Sequence, residues 1–410
     1  MYVVSKRIED ILKRVLVSNI FKDREKLRPD YVPDELPHRE KEVEKLAEKL
    51  APAVKGERPS NIFIYGLTGT GKTAVTRYVL KMIKDMAGRL QLEFKLMDSY
   101  VNCKVNNTNY SVLVSLCESL NEYVPFTGLS IPELFRRFMR ALERTPSLMF
   151  VVLDEVDALV KQSGDDLLYK LTRINPDLKR SQVAIVGITN DLKFTESLDP
   201  RVKSTLAEEE MVFTPYTSEE LEDILRQRAR IAFKDGVLSD EVIPLCATLA
   251  AREHGDARRA LDLLRVAGEI AEREGSLKVL ETHVRRAQVE IERDRVIEVL
   301  RTMPLHGKLT LISTYLLEKA KVEPTTGEVY SIYKGLCRKL GIEPLTHRRI
   351  SDLINELDMI GLATAKVVNR GRYGVTKLIK LSVPEGAIFE GLKEDERLTS
   401  FLGDVGRAAR

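Results

Sequence analysis

Two periods run through the hydrophobic positions of this chain. Short apolar runs occur at Ile62–Tyr65, Leu148–Leu153 and Val183–Ile188, and a further strand is expected at Phe94–Cys103. Runs of this length and composition read as strands, and Leu148–Leu153, apolar at every position, reads as a strand covered on both faces. Between them the period lengthens to that of helices: Val43, Leu46 and Leu50; then Val75, Val79, Met82 and Ile83; then stretches around Tyr110–Tyr123 and Ile131–Leu142. Two helices between the second and third strands exceed what one crossover needs, so an inserted helical element is expected there. Strands alternating with helices predict a doubly wound parallel sheet, whose ligands bind at the carboxyl ends of the strands.

From Thr217 the pattern turns helical. Thr217-Ser-Glu-Glu220 is a capping box, and helical spacing continues to about Met303. Pro304 and Gly307 mark a boundary. Beyond it three helices and a hairpin are expected, the third helix capped by Thr346 and burying Ile350, Leu353, Ile354, Leu357 and Ile360. Thr364–Asn369 and Thr376–Leu381 form the hairpin around a basic tip, Arg370-Gly-Arg372-Tyr-Gly374. That is a winged helix-turn-helix pattern. At the other end a helical stripe (Ile8, Ile11, Leu12, Val15, Leu16) leads into an arm that Pro29, Pro33 and Pro37 keep extended. The boundaries expected are an N-terminal arm and helix (1–55), an α/β domain (56–215), a helical lid (216–303), a winged helix (304–395) and a mobile tail (396–410).

The chemistry sits where the first strand meets the first long helix. Gly66-x-x-x-x-Gly71-Lys72-Thr73 is a P-loop pattern in its required strand–loop–helix context. Gly66, Gly69, Thr70, Gly71 and Ala74 would wrap phosphate oxygens with backbone N–H groups at the positive end of the helix. Lys72 would reach the β- and γ-phosphates, and the Thr73 hydroxyl would hold Mg²⁺. Asp154, ending the apolar strand, suits a second metal ligand, and Glu155 suits a group that orients or deprotonates water. Asn190, ending the next strand, suits a γ-phosphate contact. An Asp-Glu pair can also cap a helix and Asn-Asp can form a turn, but the upstream P-loop favours the functional reading.

Length and composition fit this picture. A 410-residue chain at 43% hydrophobic can bury two or three cores. There is no apolar run of membrane-spanning length and no secretory signal pattern. Four scattered cysteines without a C-x-x-C pair point to a reduced, cytoplasmic protein without structural zinc. The net charge of +3 conceals a local +6 between Leu305 and Lys380, which suits a polyanionic partner. On the third helix of that region, His347, Arg348, Ser351, Asp352 and Asn355 lie opposite the apolar stripe, as a recognition helix requires. Lys366, Arg370 and Arg372 on the hairpin suit phosphate or minor-groove contacts. The alternative is a winged helix used for protein docking.

Taken together, Gly66–Thr73, Asp154-Glu155-Val-Asp157 and Ile188-Thr-Asn190 resemble the AAA+ ATPases. With Tyr31-Val-Pro-Asp-Glu-Leu-Pro-His-Arg39-Glu, Pro200-Arg-Val-Lys-Ser204, Pro215-Tyr-Thr217, Gly255-Asp-Ala-Arg258 and the winged helix, the chain is similar to archaeal origin-recognition initiators. The resemblance runs from about residue 20 to about residue 385. It implies a sensor arginine at Arg258, nucleotide-proximal positions at Tyr216 and Arg228, and an in-trans arginine at Arg201. Thr205 stands where some relatives carry a further arginine, which speaks against efficient hydrolysis in trans. The resemblance also implies a DNA-contacting insertion around Asn106–Phe126. The function it implies is an ATP/ADP-switched replication initiator on double-stranded origin DNA, nucleoid-associated, with the replicative MCM helicase and further copies of itself as partners. A branch-migration motor and a nucleotide-gated transcription regulator share the same parts and are the rival readings.

Overall fold

The computed structural model describes residues 18–398, apart from 30, 91, 93, 126–127, 207–208, 370–374 and 396. The expected helix around Ile8–Leu16, the hairpin tip with Arg370 and Arg372, and the tail beyond 398 lie outside the described residues. The chain divides into two units, Met1–Arg285 and Arg286–Arg410.

The first unit is built on five parallel strands in the order β2-β3-β4-β1-β5: β1 (Ile62–Gly66), β2 (Lys95–Asn102), β3 (Ser147–Asp154), β4 (Gln182–Thr189) and β5 (Glu209–Phe213). The pairings Tyr65↔Thr189, Asp154↔Ile188 and Asn102↔Asp154 bring the carboxyl ends of four strands nearly flush. Each strand alternates between two apolar layers. Ile62, Ile64, Phe150, Val152, Val186 and Ile188 pack against α1 (Glu40–Leu50) and α2 (Lys72–Leu90). Phe63, Tyr65, Met149, Val151, Leu153 and Ile185 face α3 (Asn109–Ser119), α4 (Ile131–Leu142), α5 (Val156–Ser163) and α6 (Asp166–Thr172). Both faces are therefore covered, which is why β3 tolerates apolar residues throughout. α3 and α4 are the two helices between β2 and β3, one more than the crossover needs, and Thr108 caps α3 through a reciprocal bond with Ser111. The edge strand β5, whose burial alternates, and the short α7 (Pro200–Leu206) before it have no counterpart in the apolar-run reading.

α8 (Ser218–Ala232), α9 (Val242–Arg252) and α10 (Ala257–Arg273) form the lid, with Thr217 and Glu220 closing the capping box. The extended arm docks onto it. Lys22 N–H donates to the Ala232 carbonyl at 2.8 Å, Lys234 N–H donates to the Ile20 carbonyl at 2.9 Å, and the Phe21 and Phe233 rings lie 4.8 Å apart. Ile20 and Leu27 are fully buried. Gly268 on α10 makes room for this: a Cβ there would stand 2.4 Å from the Phe21 ring and 2.9 Å from that of Phe233.

α11 (Glu281–Thr302) carries the chain into the second unit. There α12 (Leu305–Lys319), α13 (Thr326–Leu340) and α14 (His347–Met359) precede the antiparallel hairpin β6 (Ala363–Asn369) and β7 (Val375–Leu381). α15 (Glu385–Leu392) follows the hairpin and was not expected. Leu309, Ile312, Tyr333, Ile350, Ile354, Leu357 and Ile379 form the core. Two positions assigned to apolar stripes prove exposed. Met82 is 52% accessible because α2 meets the sheet through Val75, Val79, Leu80 and Ile83, and Ile360 is 50% accessible because it sits past the last turn of α14.

Filling the space at Gly268 tests the arm–lid packing. Gly268→Ala should destabilise the first unit by about 1–3 kcal/mol, the usual cost of overpacking a closed interface. An unchanged thermal midpoint would mean that the arm yields freely.

Candidate functional site

The carboxyl ends of β1, β3 and β4, the start of α2 and the lid enclose a cavity of about 460 Å³. It is lined by Gly69, Thr70, Gly71, Lys72, Thr73, Ala74, Asp154, Glu155, Asn190, Tyr216, Arg228 and Arg258, so most positions predicted from the sequence converge on one place. Gly66 closes β1 at its rim, with its carbonyl facing Lys72.

The Lys72 ammonium donates to the carbonyls of Gly66 (2.7 Å) and Leu67 (2.8 Å) and to Asn190 Oδ1 (2.9 Å). All three protons are accommodated, as a buried cation requires. Burial pushes its pKa down to about 8; Asp154 opposes the shift, Arg258 adds to it, and Glu155 and Asp256 oppose it. Because Lys72 can only donate, Asn190 must turn its oxygen toward it, which directs its Nδ2 toward Glu155 Oε1, 3.5 Å away.

Asp154 is held from three sides. Thr73 Oγ1 donates to its Oδ2 at 2.7 Å, the Tyr100 hydroxyl donates to the same oxygen, and Glu155 N–H donates to Oδ1 at 3.0 Å. Burial, reinforced by the Asp154 carboxylate, pushes the Tyr100 phenol well above its usual range and keeps it a donor. Glu155 adopts φ 55°, ψ 43° and makes no side-chain cap to α5. The capping alternative for the Asp-Glu pair therefore does not apply to it, and a left-handed Glu is the kind of local strain that clusters at working sites. Thr73 Oγ1 and the Asp154 oxygens form an all-oxygen donor set suited to a hard cation such as Mg²⁺.

Two glycines keep the loop open to phosphate and close to the lid. Gly69 has φ 74°, and a Cβ there would lie 1.8 Å from Asp256 Oδ1; Gly71 has φ 92°, and its Cβ would meet the Tyr216 hydroxyl at 2.7 Å. Asp256 caps α10 by accepting from Arg258 N–H at 2.8 Å, and Ala257 N–H donates to the Gly69 carbonyl at 3.2 Å. The lid thus bonds directly to the phosphate loop.

Other expected residues have different surroundings. Arg228, 6% accessible, donates to the carbonyls of Lys26 and Tyr31 (both 3.1 Å) and lies 4.7 Å from the Tyr31 ring centroid, so its guanidinium fastens the arm. Arg201 lies outside the cavity lining, exposed, in a forked pair with Asp199 (3.0 and 2.9 Å). Arg39, quoted above only within a motif, is 3% accessible. It donates to the carbonyls of Thr70 (2.9 Å) and Thr214 (2.6 Å) and stacks 3.9 Å from the Tyr216 ring centroid. Neither Arg39 nor Tyr100 was assigned a role from the sequence. The one available signal for Tyr100 was its position two residues before the end of a strand adjoining Asp154.

In the second unit the polar face of α14 carries Arg348, Ser351, Asp352 and Asn355, with the His347 ring edge-on to Tyr330 at 5.1 Å. Lys366 is exposed on β6. Lys377 on β7 reaches across to Ser351 and Asn355.

Comparison with known proteins first defines the class. Residues 35–186 match the AAA ATPase domain, residues 222–289 the Cdc6 AAA+ ATPase-type lid domain, and residues 298–391 the CDC6 C-terminal winged helix domain. The chain is 53% identical over 402 residues to "ORC1-type DNA replication protein 1" of Sulfurisphaera tokodaii, covering 98% of this chain and all of that one. It is 56% identical over 396 residues to the protein of the same name from Sulfolobus acidocaldarius, covering 96% and 98%. The solved structure of Aeropyrum pernix ORC1 in complex with DNA superposes with a TM-score of 0.85 at 52% identity, covering 94% of this chain and 100% of that one. The chain belongs to the ORC1/Cdc6-type family of archaeal DNA replication proteins.

Lys72→Ala should abolish nucleotide binding and leave the apo protein folded, because it removes both a buried charge and the three bonds that satisfy it. Calorimetric titration with ATP and ADP reads the outcome; parent-like affinity would remove the P-loop from the binding site.

Proposed function

We propose that this protein binds double-stranded origin DNA through its winged helix and its α3 insertion. ATP and ADP set alternative lid positions, and the ATP form assists loading of the replicative MCM helicase. The reading rests on one arrangement above all: a phosphate cradle bonded to its own lid, in a chain that also carries a winged helix with a polar recognition face. The likeness to a relative solved with DNA supports the DNA half.

Nucleotide would enter with its phosphates on the N–H groups of residues 69–74, exchanging the Gly66 and Leu67 carbonyls around Lys72 for phosphate oxygens. Thr73 and Asp154 would hold Mg²⁺, which when bound neutralises phosphate charge. Glu155 orients and deprotonates the attacking water, and Asn190, fixed by Lys72, sets the Glu155 carboxylate at the same distance in each cycle. Arg258 follows Asp256 into the first turn of α10, so a contact from Arg258 to the γ-phosphate would pull on the Gly69 junction. That coupling makes the nucleotide a switch. Arg201 lies outside the lining of its own cavity and is assigned to a neighbouring copy's nucleotide, at low efficiency.

Glu155→Gln keeps size and one hydrogen-bonding oxygen but removes the base, so ATP should bind with parent affinity while turnover falls by about 10²–10⁴-fold. Parent-rate hydrolysis would leave Glu155 a structural residue.

For DNA, two kinds of failure are expected. Arg370→Ala or Arg372→Ala should weaken specific and random duplexes alike, with the log–log salt slope shallower by about 0.9 per lost phosphate contact. Arg348→Ala should weaken the preferred site more, by roughly 1–3 kcal/mol. If all three bind both duplexes as the parent does, the winged helix docks protein instead. Mapping bound sites across the genome separates replication start regions from promoters, the sites a transcription regulator would occupy.

A further inference from the structure

Lys377 presents an arrangement that the proposed function leaves unused. Its ammonium donates to Asn355 Oδ1 at 2.6 Å, to Ser351 Oγ at 2.9 Å and to the Ser351 carbonyl at 3.3 Å. An ammonium has three protons and no acceptor, so these three bonds use its full hydrogen-bonding capacity. The lysine sits half-buried between β7 and α14, one turn of helix separating its two side-chain partners.

Because Lys377 can only donate, it fixes what its partners offer outward. Asn355 must turn its oxygen inward to the ammonium, which leaves its NH₂ group at the exposed surface. Ser351 accepts from Lys377, which leaves its hydroxyl proton to be donated elsewhere. A bond from a cation also polarises the amide, strengthening the N–H groups as donors and weakening the oxygen as a further acceptor. Arg348, exposed one turn earlier, is a donor by nature.

We propose that Lys377 is a specificity-determining positioning residue: by turning the Asn355 oxygen inward and leaving the Ser351 hydroxyl proton free, it makes Arg348, Ser351 and Asn355 present donors that select acceptor-rich major-groove edges, with Asp352 beside them as an acceptor. The proposal rests on the reading of α14 as a DNA recognition helix. Guanine, with N7 and O6 both acceptors, is the base such a face fits. Adenine is read bidentately by an asparagine that offers donor and acceptor together, and here the acceptor is committed elsewhere. Lys377 itself contributes orientation and not a phosphate contact.

The test is selection of binding sites from a randomised duplex pool by the full-length parent, Lys377→Met, Lys377→Arg, Asn355→Asp and Arg348→Ala, each first checked for a parent-like thermal midpoint. The parent should enrich guanine at one or more positions that lose their preference in Arg348→Ala or Asn355→Asp. Lys377→Met frees the amide to turn over, so guanine-over-adenine discrimination at the Asn355 position should fall about tenfold, the scale of one good base contact. Its salt slope on random duplex should stay at the parent value. Lys377→Arg, which can donate to the same oxygens, should restore the discrimination. A slope shallower by about 0.9 together with equal weakening on all duplexes would make Lys377 a phosphate contact and overturn the proposal. Unchanged base preference in Lys377→Met would overturn it as well. Should no variant, Arg348→Ala included, alter binding to any duplex, it is the recognition-helix reading that fails.

Discussion

A buried ammonium governs the first unit. Lys72 is 5% accessible, and a cation so placed must find oxygen on every side. The chain supplies it from the end of β1 and from Asn190 on the loop after β4, and this requires β1 and β4 to be neighbours. The strand order β2-β3-β4-β1-β5 meets that requirement and sets β3, with Asp154, on the far side of β4. Asn190 then links the cation to Glu155. Cation, amide and carboxylate are thereby fixed relative to one another, and charge held in place in this way is the largest single contribution such sites make.

The lid enters the same network through backbone. Asp256 caps its own helix and lies against Gly69, while Ala257 bonds to the Gly69 carbonyl. A change in the loop on nucleotide binding therefore meets the lid at its first turn, where the helix dipole is strongest. The arm fastens the other side: its main chain bonds to Ala232 and Lys234, and Arg228 holds the carbonyls of Lys26 and Tyr31. The same short segment links the lid to the helix that precedes the sheet.

How much of this could be read from the sequence depended on how local each signal was. Strands β1 to β4, the P-loop, Asp154–Glu155 and the caps at Thr217 and Thr346 are written in contiguous residues, and each stands where it was expected. β5 escaped because its apolar run, Met211–Phe213, is only three residues long and follows Glu209 and Glu210, as suits an edge strand with one wet face on which Val212 is exposed. α15 is only eight residues long and has no side-chain cap. Tyr100, Arg39 and Lys377 act on partners 54, 31 and 22 residues away, Arg39 through a backbone carbonyl that any residue type could supply. Helical spacing also overcounted the buried stripe, since Met82 keeps the period yet falls beyond the strip of α2 that meets the sheet.

Arg39 carries a consequence for where this ATPase begins. Its guanidinium closes over Tyr216 while binding one carbonyl in the phosphate loop and one at the exit of β5. The conventional minimal nucleotide-binding module would start at the first strand, since everything catalytic lies after it. Cut there, this chain would lose the keystone between loop and hinge and leave two inward-facing carbonyls without donors, a deficit of several kcal/mol. The shortest autonomous ATPase in this protein is therefore not the span that carries its motifs. It has to include α1 and the arm, segments outside the P-loop motif, so domain economy here is set by structural support as well as by the motif residues.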